Sequence, residues 1–178
     1  MILAAASDGP LDLGLLVLRV VFGLFLAAHG VRKITSGIGN TAGFFASIGM
    51  RWPATQAVIA AVTEIGAGLL FAAGLLSPLA AAGVLGVMSV AAFTHRKNGF
   101  FIFMPGQGWE YTASIAATAA AVGVAGSGRW SLDHALGIHA DDWGGEWAPA
   151  VITLALGLGA AVLQLATSYR PATPDTSQ

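Results

Sequence analysis

The sequence predicts an all-α, polytopic membrane protein folded as one helical bundle. Three observations predict it. The 178 residues are 56% hydrophobic and only 10% charged, whereas soluble domains run at roughly 45–50% apolar and about 25% charged. Five apolar runs approach the length of a bilayer crossing, which is about 20 residues with roughly 17–25 tolerated. Tryptophan and tyrosine fall between these runs or at their ends and not inside them.

Eight Lys+Arg and nine Asp+Glu cannot cover a globular surface of this size, and the mean hydropathy of +0.74 agrees. Most of the surface therefore faces something other than water. This excludes a soluble enzyme, a disordered region and a nucleic-acid binder, which needs a basic excess that a net charge of −1 does not supply. With no cysteine there is no disulfide, CxxC pair, thiolate metal site or Fe–S cluster held by this chain. Redox chemistry here requires a bound cofactor or a partner. The length suits one compact bundle and not two domains.

The runs follow in order. Leu11–Ala28 lies between Asp12 at its start and Gly30-Val-Arg-Lys33. Met1–Ala6 before it is apolar, but it has no basic n-region and is interrupted by Asp8 and Pro10. It reads as retained and not as a cleaved signal. Ala54–Leu76 follows Trp52-Pro53, and Pro53 suits a first helical turn. Ser77-Pro78 breaks the chain before Leu79–Thr94; Tyr111–Ala125 is short and rich in Ala, Ser and Thr; Ala148–Ala166 is strongly apolar. Trp52, Trp109, Trp130, Trp143, Trp147, Tyr111 and Tyr169 then form the aromatic belt expected at headgroup level.

Orientation follows from the basic residues. Arg32, Lys33, Arg51, Arg96, Lys97 and Arg170 fall on one side, Arg129 alone on the other, and Arg19 within a span. The basic-rich side is expected in the cytoplasm of a bacterial plasma-membrane protein, with the N-terminus outside and the C-terminus inside. Asp8, Asp12, Asp133, Asp141, Asp142 and Glu146 then lie outside.

Helices in lipid associate through small residues that let backbones approach closely. Gly66, Gly68, Gly83, Gly86, Gly157 and Gly159 offer such surfaces, which also suit oligomer contacts. The fourth run has small residues on every face and is expected inside the bundle between neighbours; no ring of charge supports a pore.

Arg19 and Glu64 are the charges at membrane depth. Counted at 1.5 Å per residue, Arg19 lies about 12 Å from the outer end of its span and Glu64 roughly 15 Å from the cytoplasmic end of its own. An unpaired charge there costs about 2.5–3.5 kcal/mol on the insertion scale, so the two are expected to pair. Two readings stand: an ion pair that sets helix register, or a Glu64 proton carrier or quinone ligand tuned by Arg19.

His29 and His95 end two spans on the same side, with Asn98, Glu110 and Tyr111 near them in sequence and level. They cap helix ends, or with Glu64 they line a polar ligand pocket for a quinone head, or, least favoured, they grip a haem iron. Gly43–Met50 and Gly99–Met104 are too short to span and too apolar for water. They read as re-entrant or interfacial segments at the bundle mouth, forming either a pocket lip or a membrane anchor. His134, His139, Asp141, Asp142 and Glu146 crowd one connection, whose spacing fits no named metal site, so a solvated acidic loop is expected and no metal.

An ordered series of motifs resembles the DoxX family of small bacterial integral membrane proteins, in its actinobacterial, mycobacterial-like form. It runs Leu18-Arg19, Gly23, Ala28-His29-Gly30 and Lys33; then Gly43-Phe44-Phe45 and Ile48-Gly49; then Glu64-Ile65-Gly66, Gly68 and Gly74-Leu75. It resumes at His95, Asn98-Gly99-Phe100-Phe101, Glu110-Tyr111 and Gly126 to Asp133. The resemblance covers about Leu11 to Leu136 and implies a four-helix membrane bundle, to which Ala148–Ala166 adds a fifth, C-terminal transmembrane helix. The expected organisation is a DoxX-like bundle over 1–136, an acidic external loop over 137–147, the added helix over 148–167 and a polar cytoplasmic tail over 168–178. Family members are similar to subunits of thiosulfate:quinone oxidoreductase. A mycobacterial DoxX protein is linked to a membrane complex with superoxide dismutase and a thiosulfate sulfurtransferase. The resemblance carries over no catalytic residue.

The expected function is a membrane subunit of an oxidoreductase assembly, at most one part of the enzyme, with a quinone or other apolar ligand near His29, Glu64, His95 and Tyr111 on the cytoplasmic side. The chain has no thiol, flavin fingerprint or nucleotide motif, so soluble redox proteins or other membrane subunits would supply electrons. The rival is a non-catalytic anchor or scaffold for soluble partners, in which the same residues cap helices and anchor the interface. A transporter would show broken helices or a lined path, and neither is visible.

Overall fold

The computed structural model describes residues 9–171. The reading of Met1–Ala6 as retained, and most of the expected tail, lie outside those residues. The α-helices are α1 (Gly9–Thr35), α2 (Ile38–Ser47), α3 (Pro53–Ala73), α4 (Ser77–His95), α5 (Glu110–Ala125), the single turn α6 (Leu132–Ala135) and α7 (Ala148–Ser168). The described residues form no strand beyond one isolated bridge between Met50 and Tyr169.

Proline starts α3, α4 and α7, where a missing N–H costs nothing. Gly74 ends α3 in the left-handed region at φ 64, and Leu75 N–H bonds back to Leu70 C=O at 3.0 Å. Only two residues then separate Gly74 from α4, so α3 and α4 form an antiparallel pair.

Helices α1, α3, α4 and α7 are long and apolar enough to cross a membrane. With the family match reported below, they make this a multi-pass membrane protein. The expected fourth span is α5, which has 16 residues. It is about 24 Å long, short of the ~30 Å hydrocarbon core. It nevertheless runs the length of the bundle. Tyr111 at its start meets His29 of α1, and the chain just beyond its end meets Arg19 of α1 through Trp130. One end of the bundle thus gathers the close of α1, α4 and α7 with the start of α3 and α5. We call it the basic end, and the other the acidic end.

Helix α4 is the hub, packed against α3, α5 and α7, while α1 lies along α3. Ala81, Val84, Leu85 and Met88 of α4 meet Phe71 of α3 and Ile115, Ala119 and Val122 of α5 in one core. A Cβ on Gly23 would sit 2.5 Å from Gly68 C=O, and one on Gly68 2.6 Å from Gly23 C=O, so α1 and α3 touch backbone to backbone. Gly86 and Gly157 bring α4 against α7 in the same way, and Gly83 meets Ala67. Gly66 and Gly159 face open space and join no such contact.

The expectation that α5 sits enclosed between neighbours is corrected. It buries one stripe, Ile115, Ala119 and Val122 with Gly123, and leaves Ser114, Ala117, Ala121 and Val124 exposed. Small side chains let a helix approach its neighbours, but here only the stripe facing α4 and α7 is used. The added C-terminal helix is an integral wall: Thr153 Oγ1 donates to Pro78 C=O at 3.2 Å, and Arg51 N–H donates to Ser168 C=O at 2.7 Å. Exposed Val62, Val151 and Val162 face outward, as a lipid-bathed surface requires.

Candidate functional site

A cavity of about 580 Å³ opens at the basic end, between α1, α2, α3, α4, α5 and α7. Its walls are mainly apolar, with Leu26, Phe45, Met88 and Val90 among them. His29, Glu64, His95 and Tyr111, which the sequence suggested as pocket residues, all line it. The His29 and Tyr111 rings lie 5.4 Å apart, and the Phe44 ring lies 5.9 Å from His95.

Asn98 and Glu110 do not line it. Asn98 Nδ2 donates to Gly106 C=O at 2.6 Å, and Glu110 Oε2 accepts from Ile102 N–H at 3.2 Å. They shape the loop whose Ile102, Gly106 and Gln107 form part of the wall. Their sequence positions beside the pocket residues placed them nearby, but Asn98 Nδ2 and Glu110 Oε2 are engaged with loop backbone.

The expected Arg19–Glu64 pair does not form. Both Glu64 carboxylate oxygens accept from Lys33 Nζ, and Glu64 is 3% exposed. The helix register explains this. Gly23 faces Gly68 and Gly30 faces Ala61, so Arg19 is level with Ala72 and stands about 12 Å, eight residues, from the level of Glu64. Depths counted from run ends failed because α1 does not stop at Ala28. It continues to Thr35, carrying Lys33 over Glu64. A signal was present: Lys33 follows His29 by four residues, so both lie on one helix face.

Arg19 instead builds the acidic end. Its Nη2 donates to Trp130 C=O at 2.7 Å and its Nη1 to Ala72 C=O at 3.4 Å. The guanidinium lies against Gly74, where any Cβ would collide with it. Asp133 Oδ1 and Oδ2 accept from Leu76 N–H at 2.7 Å and Ser77 N–H at 2.9 Å, capping α4. Asp133 N–H in turn donates to Gly74 C=O at 2.8 Å. Asp133 is therefore a buried structural carboxylate just before the expected acidic loop. In that loop, Asp142 Oδ2 accepts from His139 N–H at 2.8 Å, and the His134 and His139 rings are 6.2 Å apart. Among the described residues no three His, Cys, Asp or Glu group closely enough to hold a metal ion.

The two apolar segments differ from each other. Gly43–Met50 is largely helical as part of α2, with Phe45 and Ile48 packed on Met50, Val90 and Ala161. Phe44 is half exposed at the cavity rim. Gly99–Met104 is an irregular loop whose Phe100, Phe101 and Phe103 project outward, Phe103 being 78% exposed. Sequence reading missed Gln164 of α7, which also lines the cavity. Its Nε2 donates to Gln56 Oε1 at 2.9 Å, and Gln56 Nε2 donates to Ser168 Oγ at 2.9 Å. A lone glutamine in an apolar run was the available signal.

The order of these residues along α1 to α4, with His29, Lys33, Glu64 and His95 at one end, accompanies a match of residues 14–97 to the DoxX family model. Residues 14–97 are a DoxX domain. The match supports membership of the DoxX family. The DoxX domain thus supplies α1 to α4, including Lys33 and Glu64, whereas Tyr111 and Gln164 come from helices beyond the matched residues. The motifs around Glu110-Tyr111 and Gly126 to Asp133 also lie beyond it. No curated protein and no solved structure matches the chain.

Proposed function

We propose that this DoxX-domain protein is an integral membrane subunit of a redox assembly, and that the cavity at its basic end receives a quinone or a similar amphiphile. One observation carries the reading. A cavity of about 580 Å³ combines apolar walls with a few polar groups, His29, the Lys33–Glu64 pair, His95 and Tyr111, at one end of a membrane bundle. Amphiphile sites have this composition: apolar area holds the body and a few polar atoms orient the head. The exposed Phe100–Phe103 loop beside the mouth suits ligand transfer from the bilayer interface. The basic end faces the cytoplasm of a bacterial plasma membrane, where a soluble redox partner or another membrane subunit supplies electrons.

The test is chemical. The protein is purified in mild detergent, its visible spectrum recorded, and its organic extract assayed for quinone. About one quinone per chain, reduced severalfold in Glu64→Gln or His29→Ala, supports the reading. A colourless, quinone-free preparation that still co-purifies with soluble partners overturns it and leaves an anchor or scaffold.

A further inference from the structure

We infer that the α4–α7 side of the cavity is an acceptor wall that selects a head bearing a hydroxyl, of quinol or phenol type, over its O-methylated form. The inference rests on the reading above that the cavity takes an amphiphile.

The argument begins at His95. Its Nδ1 lies 2.8 Å from Ala91 C=O, the carbonyl one turn earlier in α4. A carbonyl oxygen only accepts, and two lone pairs at that distance repel, so Nδ1 carries the hydrogen. Thr94 agrees. Its hydroxyl donates to the same Ala91 oxygen at 2.9 Å, so it presents lone pairs to His95 Nδ1 at 3.4 Å. A neutral imidazole with Nδ1–H has a bare lone pair on Nε2. Among the described residues, that nitrogen has no hydrogen-bond partner. The tilted Phe44 ring, 5.9 Å away, packs beside the imidazole.

Gln164 adds a second acceptor. One of its two Nε2 hydrogens goes to Gln56 Oε1, and its acceptor Oε1 has no hydrogen-bond partner among the described residues. His95 Nε2 and Gln164 Oε1, from neighbouring helices, therefore each offer the same cavity a lone pair, and only at His95 is the sole N–H already spent within the protein. A ligand hydroxyl satisfies such an atom, whereas an ether or carbonyl oxygen sets lone pair against lone pair.

Isothermal titration calorimetry on the detergent-purified protein, under nitrogen, tests this with a decyl-substituted benzoquinol and its O,O-dimethyl ether. The ether should bind about tenfold more weakly, the value of one or two good hydrogen bonds. In His95→Phe, which keeps a ring beside Phe44, the difference should shrink to about threefold or less. ¹⁵N NMR of histidine-labelled wild-type protein should show His95 protonated at Nδ1 and bare at Nε2. Equal binding of the two probes, an unchanged preference in His95→Phe, or a protonated Nε2 overturns the acceptor wall while leaving the amphiphile reading intact. If neither probe binds, both fall.

Discussion

Lys33 of α1 and Glu64 of α3 are joined across the α1–α3 contact, where the two backbones touch, and the pair forms part of the cavity wall. Glu64 is almost wholly enclosed, whereas the Lys33 side chain keeps 23% exposure. The lysine thus reaches from the rim and neutralises a charge that water does not reach.

Removing the lysine alone should be the harsher change. Lys33→Met leaves a buried carboxylate without its partner and should cost about 3 kcal/mol, the lower part of the range for broken buried pairs, since the lysine is partly wet. Lys33→Met/Glu64→Gln should recover most of that loss. Thermal unfolding in detergent reads both, and a double variant no more stable than the single one would refute the pairing argument.

At the acidic end, Asp133→Ala should lower stability by about 1–2 kcal/mol by uncapping α4. Arg19→Met should cost about 1–3 kcal/mol by leaving the Trp130 carbonyl unsatisfied. The same segment, Trp130 to Asp133, carries both contacts. The two losses should therefore be non-additive by more than about 0.5 kcal/mol. A double-variant cycle measures this, and strict additivity counts against a shared network.

Glycines should divide by what they face. Gly23→Leu and Gly68→Leu drive a side chain into backbone and should cost at least about 1–3 kcal/mol each. Gly66→Leu and Gly159→Leu point into open space and should stay within about 0.5 kcal/mol of the parent. Denaturation in detergent separates the groups. A Gly66 variant as damaging as Gly23→Leu would contradict the packing described.

Orientation has its own check, because the native chain has no cysteine. Ser36→Cys at the basic end should resist a membrane-impermeant maleimide in intact cells, while Leu136→Cys at the acidic end should react. Both positions are exposed on the protein. Reaction at Ser36 with protection of Leu136 would invert the expected topology, and labelling of both would count against the expected five crossings.

The helices were legible because hydropathy is a property of the chain alone. Five apolar runs became five helices, four of them long and apolar enough to cross a membrane, each within a few residues of its reading except α1, which runs seven residues past Ala28. Pocket membership was legible for His29, Glu64, His95 and Tyr111, because helix ends and their levels follow from run boundaries. Pairing was not. A partner is set by register between helices, and that register came from Gly23 meeting Gly68, a contact invisible until both helices are placed. Gly66 and Gly159 show the same limit from the other side: a small residue permits close approach, but which face is approached depends on the neighbours. Asn98 and Glu110 have chemistry fit for a ligand site, yet loop geometry turned that chemistry onto backbone.

Tyr111 and Gln164, which both line the cavity, lie beyond the matched DoxX segment and are synthesised after it. A growing polypeptide that has delivered residues 14–97 to the bilayer has α1 to α4 but neither α5 nor α7. At that moment Glu64 and His95 border an open trough that lacks its α5 and α7 walls. The chamber closes only when Gln164 docks on Gln56. Enclosure of the chamber therefore waits on α7, a helix made well after the matched segment.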